Sequence, residues 1–379
     1  MIARRAALPA VALLLLAACA PGGSGAPAAA PSAAPATPTP VPTPTPLAKL
    51  TLGGLFHPNG PPRTDPAAQT WTLNATGDTI PARLVNISAA QRGDYLFPFK
   101  PTADYVKNAD VTYVNLETPL LAGCPARSGG LVFCGDPRFV DGLTMIGTKV
   151  VNLANNHVYA GPDTQRTADL LQQHGIPSET NLGPPVILNV KGLRVAFIGC
   201  NAVTGGPPVD RQALQADIQH ARSQADVVIV QFHWGKEYER QPLVAPGIAP
   251  DDPIELGHLA IDSGADLVIG NHPHWVQGIE IYKDHLITYA HGNYVFDQVN
   301  CFPSVGADYR TYCSDDTRTS VVGTYTFSGT HLVGATWKPT YADTTMTTRW
   351  ADPDRAAQVL KTMEDASVAL AQKEGEPAT

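Results

Sequence analysis

Histidine, carboxylate and asparagine side chains follow several short apolar runs of this sequence. The most informative group is His272-Pro273-His274, in which a proline holds two alternate imidazoles directly after an apolar run. The same pattern recurs at Asp78, Glu117, Asn155-Asn156-His157, His233 and His291-Gly292-Asn293. Carboxylates and imidazoles bind divalent cations and leave a position for water, whose pKa the metal lowers toward about 7. The pattern therefore predicts a metal-dependent hydrolase site.

Each of these residues, taken alone, also has an ordinary structural explanation. A histidine at a strand end, such as His233, is more often a hydrogen-bonded structural residue. Asp78 follows a glycine, and Gly292-Asn293 has the composition of a tight turn. We prefer the metal site because six strand ends carry such residues, and clustered histidines and carboxylates mark functional sites.

The apolar runs that position these residues alternate with helical patterns. We predict strands over residues 72–76, 111–115, 150–153, 195–198, 227–232, 267–269 and 286–289. We predict helices over 164–174, 211–224 and 253–263, a hairpin over 320–339, and a last helix that begins at Asp352-Pro353. Strand–helix alternation indicates an α/β fold, and ligands of such folds bind beyond the carboxyl ends of the strands.

The composition is that of a globular protein with an acidic balance. Hydrophobic residues make up 44% and charged residues 16% of the chain, which is ordinary for a folded protein. The formal net charge is -8 and no basic stripe is present, so a nucleic-acid partner is not expected. After Cys19 no apolar run reaches the length of about 20 residues that a membrane-spanning helix needs.

The first residues have the features of an export signal. Arg4 and Arg5 precede an apolar run over residues 11–16, which is too short to span a bilayer. Leu16-Ala17-Ala18-Cys19 resembles the lipobox of bacterial lipoproteins, where the peptide is cut before the cysteine and lipid is attached to it. We predict a signal peptide over residues 1–18 and an extracytoplasmic lipoprotein anchored to the membrane at Cys19. The alternative is an ordinary secretory signal cleaved at another small residue.

The segment after Cys19 is a linker rich in proline, threonine and alanine. Prolines alternate with other residues between positions 36 and 46, which favours extended polyproline II. The segment has nothing to bury, so it cannot offset the entropy of ordering. We predict a disordered tether over residues 19–49, a folded domain over 50–345, and a C-terminal helix and tail over 346–379.

Cysteine usage agrees with export, since disulfides persist in oxidising compartments. Cys124 and Cys134 enclose one loop, and Cys301 and Cys313 enclose another. This spacing favours the local disulfides Cys124–Cys134 and Cys301–Cys313, although other pairings remain open. Cys200 ends an apolar run and is predicted to be a buried free thiol. A cysteine metal site is the weaker alternative, because the chain has no Cys-x-x-Cys pair.

Several blocks of the chain between Trp71 and Asp297 resemble the CapA family of poly-gamma-glutamate capsule synthesis proteins. The blocks are Gly77-Asp78-Thr79 with Arg83, residues 114–120, Leu153-Ala154-Asn155-Asn156-His157, His233-Trp234-Gly235-Lys236-Glu237-Tyr238, residues 264–274, Tyr289 and residues 292–297. They occur in the family's order and spacing. The resemblance implies the calcineurin-like metallophosphoesterase fold, a four-layer α-β-β-α sandwich with its site at the rim of the two sheets.

The resemblance also implies roles for individual residues. The metal ligands would be Asp78, Glu117, Asn156, His233, His272 and His274. The proton donor to a leaving group would be His157, and the substrate-binding residues would be Arg83, Asn155, Glu237 and Asn293. The cofactor would be one or two divalent ions of Mn, Zn or Fe.

Three positions depart from the patterns that the resemblance implies. Ile80 stands where metallophosphoesterases carry a histidine two residues after the first aspartate, and Glu117 takes the place of their bridging aspartate. CapA-like proteins have an aspartate shortly after the Asn-His pair, and Val158-Tyr159-Ala160-Gly161 lacks it. Asp163 is the candidate replacement. Ile80 and Glu117 affect whether a second ion binds. The missing aspartate affects one corner of the site.

These observations support three hypotheses for function. The protein is a capsule or envelope-polymer factor that acts on an anionic polymer such as poly-gamma-glutamate, with a capsule synthase complex as its candidate partner. Alternatively, it is a metal-dependent hydrolase of a phosphoester or amide in the envelope. The third hypothesis is a non-catalytic binding module, in which the same residues hold a structural metal or an anionic ligand.

Overall fold

The computed structural model describes residues 51–57, 68–158, 161–299 and 314–373 of the chain. The predicted signal peptide, the predicted lipidation site Cys19, the predicted tether and the predicted Cys301–Cys313 disulfide all lie outside these residues. Among the helices of the described segments, none combines the length and the apolar character that crossing a membrane requires.

Strands and helices alternate through most of the described chain. The strands are β1 (Thr70–Thr79), β2 (Val111–Leu116), β3 (Thr148–Asn152), β4 (Ser178–Glu179), β5 (Val186–Val190), β6 (Leu193–Asn201), β7 (Val227–His233), β8 (Leu267–Asn271), β9 (Ile279–Tyr282), β10 (His285–Thr288), β11 (Asn293–Val295), β12 (Thr319–Ser328), β13 (His331–Ala342) and β14 (Thr348–Trp350). The helices are α1 (Leu52–Phe56), α2 (Arg83–Arg92), α3 (Ala103–Val106), α4 (Phe139–Met145), α5 (Pro162–Gln173), α6 (Arg211–Gln224), α7 (Pro253–Asp262) and α8 (Pro353–Lys373).

The strands form two sheets whose central strands are parallel. The first sheet has the order β14-β13-β12-β1-β2-β3-β4, with the short β11 also paired to β1. The second has the order β5-β6-β7-β8-β10-β9. Strands β1 to β4 run parallel in the first sheet, and β6, β7, β8 and β10 run parallel in the second. Parallel strands end at the same edge of a sheet, so each sheet gathers its strand ends at one rim.

Three apolar layers separate the sheets from each other and from the helices. Tyr113 of β2 and Phe197 of β6 lie between the two sheets, with ring centroids 5.2 Å apart. The next residue along β2, Val114, packs on the opposite face among residues of α2, α4 and α5. The next residue along β6, Ile198, packs among residues of α6 and α7. Because side chains alternate along a strand, each sheet buries both faces. The predicted four-layer α-β-β-α sandwich is confirmed.

Helix starts follow capping chemistry that is visible in the sequence. Asp210 precedes α6, and its side chain accepts hydrogen bonds of 3.0 Å from the amides of residues 212 and 213. Before α7, where Pro253 is the first helical residue, the Asp252 side chain accepts one such bond of 2.9 Å from the Ile254 amide. The Asp352 carboxylate accepts a hydrogen bond from the Arg355 amide at the start of α8. The predicted last helix therefore begins at Asp352-Pro353.

The chain segments at the rim approach each other closely. The Asp78 amide donates a 2.8 Å hydrogen bond to the Gly292 carbonyl, and β11 then pairs with β1 at Asp78 and Thr79. A Cβ atom on Gly77 would lie 2.1 Å from that same carbonyl oxygen. Only glycine at position 77 lets the two backbones meet beside the first predicted ligand.

Replacing Gly77 with alanine should therefore destabilise the protein by about 3 kcal/mol or more, because the added methyl group meets backbone that cannot move aside. Chemical denaturation measures the change. Gly206→Ala is the matched control, since a Cβ atom there has no neighbour nearer than 4.0 Å. Equal losses in the two variants would contradict this explanation.

Candidate metal centre

The residues predicted to bind metal lie together at the rim, contributed by strands of both sheets. They are Asp78 in β1, Glu117 after β2, Asn156 after β3, His233 at the end of β7, and His272 and His274 after β8. Parallel pairing aligns these strand ends, since Asp78 lies beside Asn115 and His233 beside Asn271. All six except Asn156 are buried. Strand ends that are far apart in sequence therefore form a single site.

The Nε2 atom of His233 is the centre of a first set of donor atoms. It lies 2.9 Å from Asn156 Oδ1, 3.1 Å from His272 Nδ1 and 3.4 Å from Glu117 Oε1. Ligands bound to one ion at about 2.0–2.2 Å lie about 3–3.5 Å from one another. Each of the three atoms therefore lies at a distance from His233 Nε2 that two ligands of one divalent ion have.

The Glu117 carboxylate connects this set to a second candidate position. Two groups of ligands have donor atoms within 4.8 Å of one another, namely Glu117-His272-His274 and Asp78-Glu117-His233. His274 Nδ1 lies 3.2 Å from Asp78 Oδ2 and 2.9 Å from Asn293 Oδ1. Both of these neighbours are acceptors, so Nδ1 carries the hydrogen and Nε2 is left to bind an ion.

Buried polar atoms without partners show that the residues fit a cation. Both carboxylate oxygens of Glu117 and the Nε2 atom of His272 are buried and have no hydrogen-bond partner in the described part of the chain. Leaving such atoms unpaired costs about 1–3 kcal/mol for each group and more for a charged one. A divalent ion would satisfy all three atoms, and a mixed nitrogen and oxygen donor set suits Mn, Zn or Fe.

The corner of the site near Ile80 is apolar. Ile80 is fully buried and forms a cluster with Ala82, Phe133 and Phe296. An apolar cluster thus occupies the place where the resemblance to metallophosphoesterases leads one to expect a second histidine.

The backbone around the site is strained at residues that are not glycine. His272 has a φ of 99°, His274 of 59° and Tyr238 of 58°. The Tyr238 amide donates a 2.8 Å hydrogen bond to the Pro273 carbonyl and so ties the turn after β7 to the turn after β8. Such conformations cost about 1–3 kcal/mol each and cluster at functional sites.

Asp78 and His274 form a buried ion pair. Burial alone would raise the pKa of Asp78, but the hydrogen bond and charge of His274, with the charge of His233, hold it below its usual value. Burial alone would lower the pKa of His274, but the hydrogen bond to Asp78 and the charge of Glu117 raise it to about 9. A bound metal ion would displace the proton of His274, so metal binding should release protons.

His157 lies at the rim beside Glu117. Its Nε2 atom is 3.7 Å from Glu117 Oε1, and its side chain is 15% exposed. Burial lowers the pKa of His157 to about 4, and the charges of His233, His274 and Arg83 lower it further while Glu117 opposes them. The ring is therefore neutral at pH 7 and accepts a proton before it can donate one. The resemblance implies that His157 donates a proton. His157 can do so only after it has taken up a proton, or when an anionic substrate raises the pKa of its ring.

Two of the four residues predicted to bind substrate lie at the rim. Glu237 has a 40% exposed side chain, and its Oε1 atom is 3.9 Å from His272 Nε2. Arg83 is 13% exposed and donates hydrogen bonds to both carboxylate oxygens of Asp297 and to the Gly130 carbonyl. Glu237 is accordingly the more accessible of the two.

Asn155 and Asn293, the other two residues predicted to bind substrate, are buried and hydrogen-bonded within the protein. Asn155 is fully buried, and its side chain bonds to the Leu116 carbonyl at 2.9 Å and the Val158 amide at 2.9 Å. Asn293 is buried, with its oxygen 2.9 Å from His274 Nδ1 and its nitrogen donating to the Thr317 carbonyl. Asn155 shapes the turn that carries His157, and Asn293 orients His274.

A chain of asparagines behind Asp78 was not predicted. The Asn115 amide donates a 2.8 Å hydrogen bond to Asp78 Oδ1, and the Asn152 amide donates a 2.9 Å bond to Asn115 Oδ1. The sequence could have indicated this chain, because both asparagines lie near the ends of neighbouring parallel strands. His291, which the sequence groups with the strand ends, instead lies buried with Nε2 2.8 Å from the Tyr325 hydroxyl.

The remaining predictions concern the cysteines and Asp163. The structure contains a Cys124–Cys134 disulfide, and Cys200 is a buried free thiol. Asp163 lies in the first turn of α5, where its exposed carboxylate pairs with Arg166 at 2.9 Å. Its ion pair thus lies within the helix, and Asp163 does not take the place of the missing aspartate.

A four-layer sandwich with histidines and carboxylates at the shared rim of its sheets defines the calcineurin-like metallophosphoesterase class of fold. The family described as "Bacterial capsule synthesis protein PGA_cap" matches residues 72–298 of the chain. The chain belongs to this family, and the membership that the sequence blocks predicted is confirmed.

Individual relatives agree with the family assignment. The chain is 30% identical over 255 residues to "Capsule biosynthesis protein CapA" of Bacillus anthracis, covering 60% of each chain. It is 35% identical over 250 residues to "PGA biosynthesis protein CapA" of Bacillus subtilis, covering 59% of this chain and 62% of that protein. The matches thus span about three fifths of these relatives. A solved hypothetical protein from Thermus thermophilus is 19% identical, covers 71% of this chain and 98% of its own, and has a TM-score of 0.45.

Proposed function

We propose that this protein takes part in the synthesis, export or anchoring of a capsule polymer of the poly-gamma-glutamate type, through a metal-dependent hydrolase-type site. Family membership and the names of the Bacillus relatives support the polymer. The observation that carries the proposal is the buried Glu117 carboxylate, which lacks a hydrogen-bond partner and lies 3.4 Å from His233. Because this carboxylate lies among histidines that can also bind metal, a cation would compensate its charge.

The proposed substrate is an amide or phosphoester of an anionic envelope polymer. In amide hydrolysis water adds to the carbonyl carbon, the carbon–nitrogen bond breaks, and the amine leaves with a proton. A bound divalent ion would polarise the substrate oxygen and lower the pKa of water. His157, neutral at pH 7, would take a proton from the water and return it to the leaving group. Glu237, partly exposed 3.9 Å from His272, would contact the substrate.

We propose that the protein works outside the cytoplasm, held at a membrane by lipid on Cys19. The lipobox-like residues before Cys19 support this location, as does the Cys124–Cys134 disulfide. The proline-rich segment would act as a spacer, since polyproline II extends about 3.1 Å per residue. The site would then stand where an anionic polymer or its synthase complex lies.

Deleting the gene in the source organism should lower the amount of cell-associated anionic polymer, measured after extraction from washed cells. The wild-type gene should restore the polymer, and so should His331→Ala, which changes an exposed histidine of β13. His272→Ala should fail to restore it, because His272 belongs to the proposed metal site. Unchanged polymer after deletion would contradict the capsule role, and full restoration by His272→Ala would contradict the role of the site.

A further inference from the structure

The loop closed by the disulfide contributes an aromatic side chain to the rim. Phe133 is the residue before Cys134, and its ring stacks on the His157 imidazole with centroids 3.9 Å apart and planes 27° apart. Phe133 is 6% exposed, whereas its neighbours Leu131 and Val132 are 79% and 66% exposed. The loop thus turns one aromatic ring inward, onto the histidine that the proposed function uses for proton transfer.

The ring of His157 is not fixed by hydrogen bonds within the described residues. In the described part of the chain its two nitrogens make no hydrogen bond, and the contact of Nε2 with Glu117 is 3.7 Å long. Histidines that move protons are usually held through their second nitrogen by a carboxylate or carbonyl. A stacked aromatic ring restricts the imidazole to one plane instead, and such contacts are directional.

Phe133 is itself held on several sides. It packs with Ile80, Ala82 and Phe296, with the Phe296 centroid 5.8 Å away in an edge-to-face arrangement. The Arg83 guanidinium lies 5.0 Å from its centroid. Phe133 therefore belongs to the apolar cluster around Ile80, which offers no metal ligand.

The loop that carries Phe133 is fastened at its base and near its tip. The Leu121 amide donates to the Gly135 carbonyl, and the Gly135 amide donates to the Pro119 carbonyl, each at 2.9 Å. The Cys124–Cys134 disulfide adds a covalent link beside these bonds. Near the tip, the Gly130 carbonyl accepts a 3.0 Å hydrogen bond from Arg83.

We infer that Phe133 is a positioning residue for His157, and that the Cys124–Cys134 loop exists in this site to hold Phe133 in place. The inference rests on the proposed function, in which His157 moves the proton. Arg83 helps to hold the loop and Phe133 in place. Its guanidinium donates hydrogen bonds to Asp297 and to the loop, and it lies over the Phe133 ring. The loop thereby links formation of a disulfide, which requires an oxidising compartment, to completion of the site.

The test measures how fast diethyl pyrocarbonate modifies His157 in the full-length protein, with mass spectrometry of peptides as the readout. Phe133→Leu removes the ring and keeps an apolar side chain, and Cys124→Ser with Cys134→Ser frees the loop. Both should raise the His157 rate at least about fivefold, the effect expected from losing one aromatic contact. Phe133→Tyr should keep the wild-type rate because it keeps the ring. Leu131→Ser, on the exposed side of the loop, should also keep it.

Two other histidines, measured in the same mass spectra, serve as internal controls for the His157 modification rate. His331 is exposed and serves as the standard for reagent concentration, and His291 is buried away from the loop and reports unfolding. A wild-type His157 rate in Phe133→Leu would overturn the inference, as would a His291 rate that rises together with His157. The assay needs neither metal nor turnover, so it gives its answer even if the proposed hydrolase function fails.

Discussion

Replacing Glu117 with glutamine should abolish binding of divalent metal at both candidate positions. Glu117 is the ligand common to Glu117-His272-His274 and Asp78-Glu117-His233, so no other single residue of these two groups connects them. Glutamine keeps the size of the side chain but removes the negative charge that offsets an ion. We expect metal affinity to fall at least about 100-fold, the upper range seen when only supporting residues are lost. Titration with Zn²⁺ or Mn²⁺ against a competing chelator measures it.

Glu179→Gln is the matched control for this experiment. Glu179 is also a fully buried glutamate, but it lies in β4 beside Tyr113 and belongs to neither ligand group. Its replacement should leave metal affinity at the wild-type value. If Glu117→Gln bound metal as tightly as Glu179→Gln does, the assignment of Glu117 as a ligand would be wrong.

The same Glu179→Gln variant should be more stable than the wild type at neutral and alkaline pH. Burial raises the pKa of Glu179 from its ordinary 4.5 to about 8. Between these two values the unfolded chain loses this proton and the folded protein keeps it, so folding stability falls as pH rises. The loss reaches about 3 kcal/mol at pH 7, about 4 kcal/mol at pH 8 and about 5 kcal/mol well above pH 8. Glutamine does not titrate, so it removes this loss.

Denaturation in urea at several pH values tests this second prediction. The two proteins should have similar stability near pH 4.5, and the advantage of Glu179→Gln should grow up to pH 8 and then level off. Glu255→Gln, at an exposed position of α7 that pairs with Arg211, should change stability by no more than about 1 kcal/mol. An advantage that is constant with pH would show that ionisation of Glu179 is not its cause.

The sequence predicts the strands and helices that position the site because their patterns are local. The apolar run before His233 and the Asp252-Pro253 start of α7 each contain their own signal. The same patterns predict that the polar strand-end residues meet, since parallel strands share one rim. The family resemblance then implies which six of them are metal ligands. The short β11 has no such signal, because three residues define no period and its partner β1 lies about 215 residues away.

The sequence does not reveal hydrogen bonds and ring contacts whose partners come from distant segments. Asn155 and Asn293 look like substrate ligands in a motif, but the Leu116 carbonyl and His274 use their polar atoms. His291 looks like a site residue, but it bonds to Tyr325 inside the core. Phe133 had no signal at all, because a single phenylalanine in a cysteine loop does not reveal which ring it will meet. Tertiary contacts decide each of these cases.

Elemental analysis of the purified protein tests most directly whether the strand-end residues form a metal centre. Wild type, purified without chelators, should contain at least one equivalent of Mn, Zn or Fe per chain, whereas His272→Ala should contain much less. His331→Ala should retain the wild-type amount. Wild-type protein that contains no transition metal, and takes up none from solution, would contradict the account.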